Sequence, residues 1–114
     1  MEIEGDNYRV CYDDETTTVK CKGSLRLSDM EEYKPIVNLL NEVAQQQPSL
    51  ITLDLRGLEF LNSSGINVLS KFVIRVRKQK TSTMKILGSK MVPWQLKSLK
   101  NLQRLMPKLQ LEIE

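Results

Sequence analysis

The sequence contains no histidine. That removes the commonest general base and the commonest metal ligand. With them go the serine–histidine and cysteine–histidine hydrolase mechanisms. Cysteine is scarce: Cys11 and Cys21 stand without CxxC spacing, too few for a small disulfide scaffold. Both fall in predicted strands and read as reduced, partly buried thiols. No apolar run approaches the ~20 residues that span a bilayer. The start, MEIEGDNYRV, lacks the basic opening and apolar core of a secretory signal, so the expected location is cytoplasmic. There is no glycine-rich phosphate loop, no cluster of metal ligands and no working pair of carboxylates. The expectation is a protein without catalytic residues, metal or cofactor, and not an enzyme. Internal repeats, low-complexity tracts and linkers are also missing, so residues 1–114 are expected to form one domain.

What is present describes an ordinary globular chain: 40 % hydrophobic and 27 % charged residues. The net charge of +3 hides an asymmetry, because residues 1–50 carry −5 and residues 51–114 carry +8. A basic half can attract nucleic acid or an acidic protein. Its aromatics are only Phe60, Phe72 and Trp94, and no strand interleaves aromatics with bases to make a stacking platform. Nucleic acid is therefore not an expected partner. The face bearing Lys71, Arg75 and Lys78 reads as solvated or as a contact for an acidic protein.

The pattern along the chain alternates strands with helices. Tyr8 to Tyr12 and Glu15 to Lys22 read as an antiparallel hairpin around the turn Asp13-Asp14-Glu15. Gly23-Ser24 is expected to break the strand before Leu25. Ser28 and Glu31 have capping-box spacing, opening a helix to Ala44 in which Pro35 implies a kink or a late start. Leu50 to Leu55 reads as a strand buried on both faces, with Gly57 marking the turn after it. Helices are predicted over 64–78 and 92–105, the first with Ile66, Leu69, Phe72, Val73 and Val76 inward. The second places Leu96, Leu99, Leu102 and Met106 in register, with Trp94 as a lid over the core or a partner anchor. Strands are predicted at Thr83 to Leu87 and Leu109 to Ile113. The order is ββαβαβαβ. The expected fold class is α/β, a mixed β-sheet with an N-terminal antiparallel hairpin and helices packed mainly on one face.

The informative stretch is LITLDLRGLEFLNSSGINVL. A strand ends, a loop follows, and a helix opens on Asn62-Ser63-Ser64-Gly65. Asn62 and Ser63 are both good N-caps. A helix N-terminus carries free N–H groups and partial positive charge, a favourable seat for an anion or a covalent phosphate. Asp54, inside the preceding strand, is expected to hydrogen-bond the loop before Ser63, since a buried acid needs partners. Spacing alone is also satisfied by a plain capping turn.

This stretch resembles the signature of the STAS domain family, shared by sulfate transporters and anti-sigma factor antagonists: a strand of the type hhhDL, a short loop, then hDSSGhxhL. The order of elements matches as well. In the antagonist branch the resemblance implies a non-enzymatic, partner-switching regulator. Its partners would be a serine kinase of the histidine-kinase-like ATPase fold, which doubles as the anti-sigma factor, and a metal-dependent serine phosphatase. It implies Ser63 as phosphoacceptor, Ser64 as the flanking hydroxyl and second choice, and a docking surface including Gly65, Asn67, Val68 and Lys71. Two family acids are replaced here, by Asn62 before the serine pair and by Arg26 in Gly23-Ser24-Leu25-Arg26. Arg26 is then a candidate to hold a phosphate on Ser63. The other reading of the resemblance is an unphosphorylated STAS subunit on a cytoplasmic component of a membrane transporter, touching the membrane only through that partner.

Overall fold

The structure, a computed structural model, describes residues 1–114. Six strands and three helices follow the order β1 (Glu2–Glu4), β2 (Tyr8–Asp13), β3 (Thr18–Leu25), α1 (Met30–Gln45), β4 (Leu50–Leu61), α2 (Ser63–Gln79), β5 (Thr83–Gly88), α3 (Gln95–Leu105) and β6 (Gln110–Ile113). They form one sheet in the order β1-β2-β3-β4-β5-β6. The β1–β2 and β2–β3 pairs are antiparallel, and β3–β4, β4–β5 and β5–β6 are parallel. Strand order never reverses, so right-handed crossovers put all three helices on the same face. The mixed sheet, the N-terminal hairpin and the single helical layer are those expected from the sequence.

Between sheet and helices lies one apolar core. The strands supply Val10, Val19, Cys21, Ile51, Leu53, Met84 and Ile86, and the helices Ile36, Leu40, Val43, Leu69, Phe72, Val73, Val76, Leu99 and Leu102. Burial pushes the Cys21 thiol up to about 12, with the nearby Asp54 charge adding to it. Cys11 faces the other side of β2, and both cysteines are free.

Several local expectations need correction. β1 was not expected. Its Glu-Ile-Glu places only Ile3 against the core, too short a pattern to read. Gly23 and Ser24 do not break β3, which runs on to Leu25. Gly23 takes a positive φ of 87°, and an added Cβ would strike the carbonyl of Asn7. Gly57 is not a turn either, since β4 continues to Leu61. The β3–β4 register slips between Lys20/Lys22 and Gly23/Ser24, adding one residue to β4 each time. These bulges change the inward spacing from two (Ile51, Leu53, Leu55) to three (Leu55, Leu58, Leu61). Nor is β4 covered on both faces. On its outer face Thr52 is half-buried and Arg56 exposed, and Asp54 alone is buried there, although no helix lies on that side.

The caps and one helix register also differ. Asp29, not Ser28, caps α1, its Oδ1 accepting from Glu32 N at 3.0 Å. The helix starts early and continues through Pro35, which withholds an amide only from Glu31, near the exposed end. In α3 the buried stripe is Gln95, Leu99, Leu102, while Leu96 is 49 % exposed. Gln95 is inside because β4 outruns β5, whose pairing stops at Asp54–Leu87. Gln95 Nε2 donates to the carbonyls of Leu55 (2.7 Å) and Leu58 (3.0 Å), and its Oε1 accepts from Ser89 N at 2.7 Å. Trp94 Nε1 also donates to Leu58 O, at 3.1 Å, so its ring packs over the core with its polar end used.

Candidate functional site, the Asn62–Gly65 turn

β3 and β4 run in parallel to their last pair, Leu25–Leu61. The chain after each strand therefore leaves side by side: Arg26-Leu27 towards α1, and Asn62 into α2. Asn62 is the cap of α2 and the centre of the site. Its backbone N–H donates to Leu25 O at 3.1 Å. Its side-chain Oδ1 accepts from Gly65 N at 2.9 Å and from Tyr33 Oη at 2.6 Å, while Nδ2 donates to Leu27 O at 2.8 Å. One amide thus ties the helix start to the β3–α1 loop and to α1. A carboxylate could make the first two contacts but has no proton for Leu27 O. Asparagine therefore completes a contact to Leu27 O that an acid at this position would leave unmade.

Tyr33 is buried, and burial pushes its hydroxyl pKa up. It remains a neutral donor at ordinary pH, with Leu25 O as a second acceptor at 3.3 Å. Sequence reasoning missed its role, although its spacing with Ile36 and Leu40 marked it as inward-facing.

Ser63 is the first residue of α2 and is exposed, and Ser64 is half-buried. Gly65 N is bonded to Asn62 Oδ1 and Ile66 N to Asn62 O at 2.9 Å. The amides of Ser63 and Ser64 are left without acceptors, and no acid lies in the first turn. Two free N–H groups and an uncompensated positive helix end therefore sit beside the Ser63 hydroxyl. Gly65 lets this turn lie flat on its neighbours. A Cβ there would strike Leu61 Cδ1 and stand 2.7 Å from Tyr33 Oη.

The remaining candidates lie in different places. Asn67 and Lys71 are exposed on α2. Gly65 and Val68 are buried; Val68, 4 % exposed, forms part of the floor of a groove of about 150 Å³ between α1 and α2, with Met30 and Lys71 at its sides. Arg26 is exposed, and its guanidinium lies 4.2 Å from the centre of the Phe60 ring, a cation–π contact. It also lines a polar cleft of about 590 Å³ with Asp6, Ser24 and Glu59. Asp54 does not reach the loop before Ser63. It forms a two-pronged pair with Arg56 (Nε–Oδ1 3.0 Å, Nη2–Oδ2 2.9 Å) on the open face of the sheet, and Arg56 also holds Glu114 at 3.0 Å. Burial alone would raise the Asp54 pKa, but the Arg56 hydrogen bonds outweigh it and hold the carboxyl below the usual range. No group of three or more His, Cys, Asp or Glu is placed to hold a metal ion.

The STAS domain model matches residues 16–92. No curated protein matches the chain. Among solved structures, the fold is similar to a chain in the crystal structure of the complex between the diguanylate cyclase SiaD and its activator SiaC from Pseudomonas aeruginosa. The TM-score is 0.77 at 10 % identity, covering 100 % of this chain and 99 % of that one. It is similar to SiaC of Pseudomonas aeruginosa itself, with TM-score 0.73 at 11 % identity and coverages of 100 % and 96 %. It is also similar to an anti-sigma factor antagonist from Mycobacterium paratuberculosis, with TM-score 0.68 at 20 % identity and coverages of 94 % and 88 %. Those identities speak for the fold. The family match spans most of the chain, from the turn between β2 and β3 past the Asn62–Gly65 turn: this protein belongs to the STAS domain family.

Proposed function

We propose that residues 1–114 act as one non-enzymatic, cytoplasmic partner-switching regulator, controlled by reversible phosphorylation of Ser63, with Ser64 the lesser acceptor. The observation that carries this reading is the state of Ser63: exposed, first in its helix, beside two unbonded amides, on a turn clamped by Asn62. A phosphate would add a charge of about −1.5 to −2 and three strong acceptor oxygens there. The free amides would receive some of those oxygens, and the added charge would change what docks on the exposed rim of Asn67 and Lys71. Arg26 is the side chain proposed to reach such a phosphate by leaving Phe60.

The partners under this reading are a serine kinase of the histidine-kinase-like ATPase fold and a metal-dependent serine phosphatase. SiaC, whose fold this chain shares, is an activator that works in complex with a protein, SiaD, which supports action through a protein partner. The transporter-subunit reading drew on Asn62 as a lost acid. With Asn62 accounted for by its bond to Leu27 O, that support is gone. The test is tandem mass spectrometry of the chain isolated from cells that make it. Phosphate on Ser63, removed by a manganese-dependent serine phosphatase, is the expected result. An unmodified chain under all growth conditions, with no transfer from any co-expressed ATPase-fold kinase, would overturn it.

A further inference from the structure

Between residues 60 and 111 there are eleven lysines and arginines and no aspartate or glutamate. This stretch supplies α2 and α3, which pack side by side. Only Lys85 among the eleven forms an ion pair, with Glu112 at 3.2 Å. On α3 the exposed residues Leu96, Lys97, Lys100, Asn101 and Arg104 share one side at helical spacing, opposite Gln95, Leu99 and Leu102. The loop leading into that helix adds exposed Lys90, and Met91 at 85 % exposure; Leu96 is exposed by 49 %. Trp94 and Gln95 fasten the loop to β4, so Met91 is held out on a fixed base.

Single exposed apolar residues are ordinary. Here two of them stand among cations, at the start of a helix whose open side is basic and free of acids. Protein interfaces favour arginine and are poor in lysine; this face holds Lys90, Lys97 and Lys100 against one Arg104. Single-stranded nucleic acid would look for exposed aromatic platforms, and the one aromatic nearby, Trp94, is engaged with Leu58 O. A diffuse, single-sign lysine face with protruding apolar tips is complementary to a plane of anionic headgroups. No helix is long and apolar enough to cross a membrane, so the association would be peripheral.

We propose that the α3 face and its preceding loop dock on anionic bilayers, with Met91 and Leu96 entering the headgroup layer and Lys90, Lys97 and Lys100 lying over phosphates. This stands apart from the reading of Ser63 and would survive its failure. The test uses the full chain with vesicles of phosphatidylcholine alone and of phosphatidylcholine with phosphatidylglycerol at about 7:3, a mildly anionic surface. Sedimentation measures binding, and emission from Trp94, the sole tryptophan, half-buried in the segment between Met91 and Leu96, reports covering of that segment. The chain should sediment with the anionic vesicles only, with a blue shift, and high salt should release it. Each charge near such a surface changes partitioning about fivefold, so Lys97→Glu with Lys100→Glu should weaken it by well over about tenfold. Met91→Asp with Leu96→Asp should abolish the blue shift. All four side chains are exposed, so circular dichroism should be unchanged. No binding to anionic vesicles at low salt would overturn the proposal, as would binding that both variants retain. So would binding that depends on the lysines but not on Met91 and Leu96, with poly-glutamate competing fully; that would mark an acidic protein as the occupant.

Discussion

Removing the Asn62 side chain tests the clamp at the site directly. Asn62→Ala loses the helix cap, worth about 1 kcal/mol, and the hydrogen bond to Leu27 O, worth about another 1 kcal/mol. Tyr33 Oη keeps Leu25 O as an acceptor, so its loss is small. Leu27 is half-buried, so water can reach its carbonyl and the full penalty of an unsatisfied group is not incurred. The total is about 2 kcal/mol, or roughly 8–12 °C in Tm for a domain of this size. Asn62→Asp keeps both acceptor contacts and gains about 0.3–1 kcal/mol from a charge at the helix N-terminus. That offsets most of the lost bond to Leu27, leaving a change of about 0–1 kcal/mol. Urea unfolding followed by Trp94 emission and by circular dichroism measures both variants. The reasoning is refuted if the alanine variant lies within about 0.5 kcal/mol of the parent, or if aspartate costs more than alanine.

Other outcomes follow from the same geometry. Gly65→Ala should destabilise by about 1–3 kcal/mol, the range for overpacking, because its Cβ meets Leu61 and Tyr33; a neutral change in the same urea titration would show that the turn can yield. Asp54 has a folded pKa below its unfolded value of about 3.9. Its contribution is therefore complete above that value and is lost as pH falls through the folded pKa. Asp54→Asn should lower stability at pH 7 and flatten the acid limb below about pH 4. An acid limb unchanged by the substitution, in thermal melts across that range, would contradict the Asp54–Arg56 pairing.

Much of the fold was legible because its signals are local. The period-two residues of the hairpin, the apolar run of β4 and the helical faces of α1 and α2 each fix an element, and a largely parallel sheet beyond the hairpin follows from the alternation of strands and helices. The errors come from contacts made across the chain. Gly23 and Gly57 look like turns locally, yet pairing between β3 and β4 holds both in strands, and two bulges re-time the inward residues of β4. Gln95 looks like a surface residue until the unpaired carbonyls of Leu55 and Leu58 are placed above it. The stripe at 95, 99 and 102 was readable, but its polar first member disguised it. Asp54 and Arg56, two apart on a strand, share a face, and that pair could have been found from period two alone. At the site, Asn62 as a cap was visible in the sequence. Its bond to Leu27 O was not, because 35 residues separate the partners.

The most direct measurement of the central claim is the affinity of the purified chain for the ATPase-fold kinase proposed as its partner, by calorimetry, with Ser63 unmodified and with Ser63 phosphorylated. The account predicts tight binding of the unmodified chain and at least about a tenfold loss on phosphorylation, equivalent to about 1.4 kcal/mol, from the charge placed at the exposed start of α2. Equal affinities for the two forms would contradict it.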